Sequence, residues 1–398
     1  MDSNPVVEMM GRPLRLAVIG GGPGSFIGGM HRAAAAMDGR YEIVAGVVSS
    51  DPDRSRKAAV DMGIEAERAY SDAMEMLDAE SARSDGADVV AIMTPNDSHH
   101  AYAAAALDRG FDVICDKPMT NTLDEALDLV RRVQSSGLIF CLTHNYTGYP
   151  MVRQARAMVK SGELGEIRLV QVDYVQGNKA DEQDPDPSDG LPWRFDPARG
   201  GPSLVMGDIG THAHNLMRFI TDLEVAEAAA DIGHVAPGRI VDDFGGALLR
   251  FENGARGSFW VTQAAAGVEN SLWIRVSGTR GSVEWRQEFP TQLIFRPLEG
   301  PVRIYTPNGP GILPAAARAS RIVAGHPEGF QEAFANVYSD AAEAIAARRS
   351  DGQANPMAMT FPTEIDGAIG VKFVDAVVES SAANGVWTNA ELLTEEGT

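Results

Sequence analysis

What most constrains this chain is the rhythm of its first part, where short β-branched runs alternate with longer alanine-rich helical ones. From Leu14 the runs LRLAVI (14–19), EIVAGVV (42–48), ADVVAIM (87–93), FDVIC (111–115) and LIFCLT (138–143) are mostly continuous in apolar residues. Strands that are apolar on both faces must be covered on both faces, which is what crossover helices over a parallel sheet provide. The pattern predicts an α/β chain with a doubly wound parallel sheet over residues 14–147, preceded by a tail at 1–13.

After a helical segment near Tyr149 to Ser161 the rhythm changes. GEIRLVQVDYVQG, GALLRFENGARGSFWVTQ, SLWIRVSG and GSVEWRQ read as strands joined by short turns, and FENGARG as a hairpin in which Asn253-Gly254 supplies the two positive-φ positions of a type I′ turn. Strands without crossover helices make a mostly antiparallel sheet. One helix interrupts it around Asp208 to Ile220, and two more lie at Glu328 to Arg348 and Pro362 to Ala382. Residues 148–398 are therefore expected to form a second α/β domain with a large, mostly antiparallel open sheet.

Charge excludes several partners. The 398 residues carry 34 Lys and Arg against 55 Asp and Glu, a formal charge of −21, with 44% hydrophobic residues. That surplus repels phosphate backbones and anionic lipid, and the sequence shows no basic stripe to offset it, so neither nucleic acid nor a membrane surface is an expected partner. No apolar run approaches the about 18 residues a spanning helix needs. Asp2 and Glu8 near the start fit no signal peptide. The two cysteines, Cys115 and Cys141, sit in strand-like runs and read as reduced core residues, so the expected compartment is the cytoplasm. The segment 181–189, DEQDPDPSD, holds five acids and two prolines and reads as a solvated loop or as a lid beside a pocket.

The first strand ends in Gly20-Gly21-Gly22-Pro23-Gly24-Ser25-Phe26-Ile27-Gly28 and runs into the helical HRAAAAM. Glycines here allow a tight turn and close approach to a pyrophosphate, whose charge the next helix start stabilises. Gly20-x-Gly22 fits the dinucleotide fingerprint, but the third glycine falls six residues on, at Gly28. At the end of the second strand an acid would bind a free ribose 2′-hydroxyl. Ser49 stands there instead, with Arg54 and Arg56 in the next turn, which suits a 2′-phosphate and hence NADP or dual use, whereas Asp51 could bend back and restore NAD.

Lys117, in Asp116-Lys117-Pro118 after the fourth strand, falls where a doubly wound sheet places its ligands. In GGPSLVMGDIGTHAHN (200–215), Asp208 and His212 lie four apart, so a helix presents both on one side, and the carboxylate can orient the imidazole and stabilise its protonated form. His212 is thus a candidate general base. A metal held by Asp208, His212 and His214 is disfavoured, because His214 points elsewhere and no further ligand clusters nearby; none is expected.

A glycine-rich first turn, Thr94-Pro95-Asn96-x-x-His99 after the third strand, Asp116-Lys117-Pro118 after the fourth, and Asp208-x-Gly210-x-His212 after the change to antiparallel sheet occur in one order. Together, from about Leu14 to about Val386, they resemble the Gfo/Idh/MocA oxidoreductases, which include glucose–fructose oxidoreductase and inositol dehydrogenases. The resemblance implies a Rossmann domain followed by an α/β domain whose open sheet forms a homodimer or homotetramer. It places the EKP lysine on Lys117, with Asp116 for the glutamate, and the catalytic Asp-x-x-x-His pair on Asp208 and His212. Asn215 replaces a frequent aspartate and receives no role. The cofactor set becomes Gly20, Gly22, Phe26, Ile27, Ser49, Arg54, Thr94, Pro95, Asn96, His99, Asp116, Lys117 and Asn145, for NAD(P)(H).

The implied reaction is oxidation of a secondary alcohol to a ketone or lactone: His212 takes the hydroxyl proton, Asp208 orients His212, and Lys117 hydrogen-bonds the same oxygen. Trp193, Arg194 and His326 are candidate substrate walls alongside Lys117, Asp208 and His212, since an aromatic face packs on sugar C–H groups while Arg and His bond hydroxyls. So acidic a chain favours a neutral polyol or pyranose over a sugar phosphate. Redox cleavage of a glycoside and a non-catalytic dinucleotide sensor are the alternatives.

Overall fold

The computed structural model describes residues 4–181, 184–186, 188 and 190–392. The chain forms two compact units: one comprises the residues up to Thr120, Asp124–Gly148 and Phe330–Gly367, the other Asn121–Leu123, Tyr149–Gly329 and the chain from Ala368.

In the first unit, strands β1 (Leu14–Gly20), β2 (Tyr41–Val47), β3 (Val89–Met93), β4 (Asp112–Cys115) and β5 (Phe140–Leu142) pair in parallel in the order β2-β1-β3-β4-β5. The strands β3, β4 and β5 are buried at every position, as continuous apolar runs require. The order turns back between β1 and β3, and at such a switch point the carboxyl ends of the strands open a crevice for ligands. Cys115 and Cys141 are free and buried on neighbouring strands, where burial pushes both thiols up.

Two boundaries differ from the sequence expectation. The expected tail contains a helix, Pro5–Met10: Asn4 Oδ1 accepts from the N–H groups of Val6 and Val7, Gly11 ends it at φ 71°, and Val6 is fully buried. The helix Phe330–Arg349 belongs to the first unit and not with residues 148–329. Its buried Phe334, Val337, Tyr338, Ala341 and Ile345 join the core built on β1 and β3. Arg348 and Arg349 anchor its far end on the fully buried Asp112 at 2.8 and 2.7 Å. It is buried at every position from Ala333 to Ala346, the polar Asn336, Ser339, Asp340 and Glu343 included, so it is covered on most sides.

The second unit holds a nine-stranded sheet of β6 (Ile167–Val175), β7 (Val225–Gly233), β8 (Phe244–Phe251), β9 (Arg256–Thr262), β10 (Ser271–Gly278), β11 (Gly281–Arg286), β12 (Leu293–Pro297), β13 (Arg303–Tyr305) and β14 (Thr388–Asn389). The order is β13-β12-β11-β10-β6-β9-β8-β7-β14, antiparallel throughout except for the parallel pair β6–β9. Val170, Val172, Tyr174, Leu272, Ile274 and Val276 turn one face inward, while Leu169, Leu248 and Trp260 stand exposed. The β8–β9 hairpin forms, but not with a type I′ turn. Gly254 alone has a positive φ (87°), and Phe251 O accepts from Gly254 N at 2.9 Å, which makes a three-residue loop. Asn253 stays outside the left-handed region, its Oδ1 accepting from Ala255 N and its Nδ2 donating to Ile167 O.

Among the described residues no helix is long and apolar enough to cross a membrane.

Candidate active site

The β1 turn is built on backbone proximity. Gly20 and Gly21 take φ values of 86° and 67°, in the region that favours glycine. A Cβ on Gly20 would lie 2.7 Å from Met93 O, one on Gly21 would lie 2.8 Å from Gly28 Cα, and one on Gly22 would overlap Val48 O. Gly28, displaced in sequence, therefore still does the work of the third glycine: it lets the helix Phe26–Met37 seat directly on Gly21. Ser25 Oγ caps that helix by accepting from Gly28 N at 3.1 Å, and its first turn holds no acid, so it suits an anion. Phe26 is 71% exposed beside Phe330, while Ile27 packs on the core. Gly21, which the fingerprint skips, is as constrained as its neighbours.

At the end of β2, Asp51 caps the helix Pro52–Asp61, its Oδ1 accepting from Arg54 N at 2.7 Å, and Ser49 Oγ accepts from Asp51 N at 3.2 Å. The carboxylate that could have bent back to a ribose is thus engaged by its own helix.

Between β3 and β4 the sequence placed His99 against the cofactor. The ring is buried and both its nitrogens lie on backbone carbonyls, Nδ1 at 2.8 Å from Pro118 O and Nε2 at 3.0 Å from Thr94 O. His99 ties together the two loops that carry Thr94, Pro95, Asn96 and Lys117 rather than offering them a further donor. Asp116 Oδ1 accepts from Lys117 N and from Thr143 Oγ1, both at 2.9 Å, which fixes the turn at the carboxyl end of β4 to β5. Lys117 is half-buried there, and its bond to Pro118 is cis. After β5, Asn145 is 2% exposed and its Nδ2 lacks a hydrogen-bond partner among the described residues. A glycine cradle that any Cβ would fill, an acid-free helix start and an unsatisfied buried amide donor together fit a dinucleotide.

In the second unit Asp208 sits in a π-helical turn, Met206–Gly210, that continues into the helix Thr211–Thr221 carrying His212. Such turns recur at functional sites. Asp242 caps the start of this segment, accepting from Ser203 Oγ at 3.0 Å, Leu204 N at 3.2 Å and Val205 N at 2.6 Å. Burial pushes the Asp242 carboxyl up, and these hydrogen bonds pull it back. Asp208 Oδ2 accepts from Gln263 Nε2 at 2.8 Å. His212 is buried, its ring 6.4 Å from that of Tyr174. His214 stacks flat on Phe373 at 4.2 Å. Among the described residues no group of three His, Cys, Asp or Glu is arranged for a metal.

The other expected wall residues divide. The Arg194 guanidinium lies 4.8 Å over the Trp193 ring, and their backbone packs on Gly200, where the lead into the Asp208 segment begins. His326 is exposed on its turn, with Nδ1 3.3 Å from Val323 O, and the described contacts do not bring it to the Asp208 network. In the acidic loop Asp184 is buried against Arg239 at 2.6 Å and accepts from Ile240 N, so this acid is an anchor and not a solvated charge; Glu182, Gln183, Pro187 and Asp189 lie outside the described residues. Sequence reasoning missed Gln263 and Asp242, which no spacing or motif marks.

Residues 14–144 match the oxidoreductase family with an NAD-binding Rossmann fold, and residues 152–284 match the GFO/IDH/MocA C-terminal domain. The chain is 32% identical over 386 residues to the uncharacterized oxidoreductase YfiI of Bacillus subtilis, covering 96% of this chain and 98% of that one. It is 29% identical to the levoglucosan dehydrogenase of Pseudarthrobacter phenanthrenivorans over 69% of this chain and 74% of that one. Among solved structures it resembles an inositol dehydrogenase homolog from Azotobacter vinelandii complexed with NADH and myo-inositol, at 35% identity and a TM-score of 0.87, covering 96% and 98% of the two chains.

Proposed function

The chain belongs to the GFO/IDH/MocA oxidoreductases, and from that premise we propose that it oxidises a secondary hydroxyl of a neutral sugar or cyclic polyol, an inositol or glucose-like pyranose, to a ketone or lactone. It is an NAD(P)-dependent oxidoreductase of CH–OH groups, from a family of sugar and polyol dehydrogenases. The observation that carries the finer reading is the Asp208–His212 segment, buried at His212, capped by Asp242 and held at Asp208 by an amide donor.

When bound, the nicotinamide supplies the hydride acceptor. In this reading the glycine turn with Phe26 and Ile27 holds the pyrophosphate, Ser49 and Arg54 the adenosine ribose, and Thr94, Pro95, Asn96, Asp116, Lys117 and Asn145 the nicotinamide end, while His99 braces their loops. His212 removes the hydroxyl proton, Asp208 orients His212 and stabilises its charge, and the Lys117 ammonium donates to the oxygen on which negative charge develops. Positioned proton transfer of this kind contributes about 10²–10⁴-fold. Trp193 and Arg194 offer a stacked face to sugar C–H and hydroxyl groups. The exposed Leu169, Leu248 and Trp260 on the second unit's sheet support a homodimer or homotetramer through that face.

The test is a panel of myo-inositol, levoglucosan, glucose, their phosphorylated counterparts and a chromogenic glycoside, each with NAD and NADP, followed by formation of reduced dinucleotide. Turnover of a neutral polyol or sugar is expected. Release of the chromophore without net reduced dinucleotide would turn the reading to redox glycoside cleavage, and dinucleotide binding with no turnover at all would turn it to a sensor. A phosphorylated sugar bound about tenfold more tightly than its parent, roughly 1.4 kcal/mol, would contradict the neutral preference.

A further inference from the structure

The residue just past β9 carries a side chain that no motif marks. Gln263 is 1% exposed, and its backbone is fixed from both sides: its N–H donates to Asp243 O at 3.0 Å and its carbonyl accepts from Lys179 N at 3.0 Å. From that fixed point its Nε2 has two protons for two acceptors, Asp208 Oδ2 at 2.8 Å and Gln176 Oε1 at 3.1 Å. Gln176 Nε2 donates in turn to Asn270 Oδ1 at 2.6 Å, which also accepts from the Tyr174 hydroxyl at 2.9 Å.

The chain of amides has one polarity. Asn270 Oδ1 takes the N–H of Gln176, so the Gln176 oxygen faces Gln263, and the Gln263 amide must turn its nitrogen to the carboxylate. Reversed, its oxygen would face two other oxygens. The arrangement leaves Gln263 Oε1 buried without a hydrogen-bond partner among the described residues, a cost that an amide placed only to fill space would not carry.

We propose that Gln263 is a positioning residue that holds Asp208 ionised and aimed, an inference resting on the role given above to Asp208 and His212. A donor on a carboxylate favours its charged form. The titratable residues tied to this network are His212, four positions on from Asp208, Tyr174, whose hydroxyl meets Asn270 at the end of the amide chain, Asp242, which caps the segment, and Asp243 and Lys179, whose backbones bond Gln263.

Two substitutions push in opposite directions. Gln263→Leu removes the donor, and a hydrogen bond to a charged group corresponds to a displacement of roughly one to two pH units. Gln263→Glu places a second carboxyl against Asp208, so the pair shares one proton at lower pH, where the protonated Glu still donates, and loses it as pH rises. Carboxyl carbon NMR of the whole protein, with Asp208 assigned through Asp208→Asn, should show its titration displaced upward in Gln263→Leu. With myo-inositol and NAD, the acidic limb of kcat/KM should move up in Gln263→Leu, while Gln263→Glu should keep activity only on the acidic side and both retain NADH binding. An unchanged Asp208 titration in Gln263→Leu overturns the proposal whether or not the enzyme turns over myo-inositol. Failure of wild-type turnover with a displaced titration instead overturns the catalytic reading alone, and equal pH profiles in all three proteins overturn the positioning role.

Discussion

The Tyr338 hydroxyl lies 2.6 Å from Nδ1 of His31, joining the helix after the glycine turn to a helix more than 300 positions along the chain. The pair is sealed by Phe334, whose ring stands 4.9 Å from the imidazole, and Tyr41 donates its own hydroxyl to Tyr338 O at 2.8 Å. Burial holds the His31 imidazole down at about 4, against an ordinary value of 6.5. The unfolded chain therefore binds a proton that the folded chain refuses. Its contribution is fully present above about pH 6.5 and is lost as pH falls toward 4, to a total of about 3 kcal/mol. Denaturant melts of the wild type are expected to lose about 2 kcal/mol from this group between about pH 7 and 5, and His31→Leu to show a correspondingly flatter slope. An equal slope in both proteins would place the acid sensitivity elsewhere.

The opposite end of the same helix depends on charge. Asp112, fully buried, accepts from Arg348 at 2.8 Å and Arg349 at 2.7 Å and also takes Ile139 N at 2.8 Å. Removing the carboxylate takes an acceptor from both guanidinium groups and from a backbone N–H, although Arg349 keeps Asp88 O at 2.6 Å. Breaking a buried pair from one side costs about 3–5 kcal/mol, and the partial exposure of both arginines puts the expected loss for Asp112→Ala at about 3 kcal/mol. Limited proteolysis should then cut first near 350–357, where the anchored helix ends; a melt within about 1 kcal/mol of wild type would show the bridge to be dispensable.

These anchors mark where sequence alone stops. The parallel sheet was legible because five apolar runs recur at the spacing of crossover helices; Asp208 and His212 stood out as positions four apart, but the segment that carries them opens with a π-helical turn that no spacing announced. The return of Phe330–Arg349 to the first unit was not legible, since a helix that buries Asn336, Ser339, Asp340 and Glu343 along with its alanines shows no apolar stripe that points to a partner. Gly28 looked misplaced because its role depends on a helix crossing over Gly21, a distance in space that six residues of spacing do not reveal. Gln263 and Asp242 reach their partners from the ends of strands set by sheet register, so no local pattern announces them.

In the proposed reading the β2 turn is the determinant of cofactor choice. Asp51 uses its Oδ1 for the helix cap, accepting from Arg54 N, and in that reading Ser49 and Arg54 meet the adenosine ribose. The protein is therefore expected to use NADP alongside NAD. Ser49→Asp supplies the acid that binds a free 2′-hydroxyl and repels a 2′-phosphate, and Arg54→Ala removes the nearby guanidinium. Each should lower kcat/KM for NADP by about tenfold or more relative to NAD, a difference near 1.4 kcal/mol. Asp51→Asn is the control: it keeps a capping oxygen and should leave the ratio of the two cofactors within about twofold. A wild-type enzyme blind to NADP would refute the assignment of Ser49 and Arg54.

The proposed mechanism gives Lys117 the substrate oxygen and His212 the proton, so losing either should slow chemistry while leaving the dinucleotide bound. Lys117→Ala and His212→Ala are each expected to lower kcat by about 10²–10⁴, with NADH affinity, read by fluorescence titration, changed by less than about threefold. The two should not multiply. Groups that act on one transition state lose their effect together, so the double variant should fall little below the weaker single one. Asp208→Asn separates orientation from charge: an amide keeps much of the shape but cannot stabilise an imidazolium, so its loss should be largest at the pH where His212 must hold a proton. Wild-type turnover in either alanine variant would remove that residue from the mechanism. A loss of NADH binding equal to the loss of kcat would confine Lys117 to its place at the nicotinamide end and leave His212 as the proton acceptor.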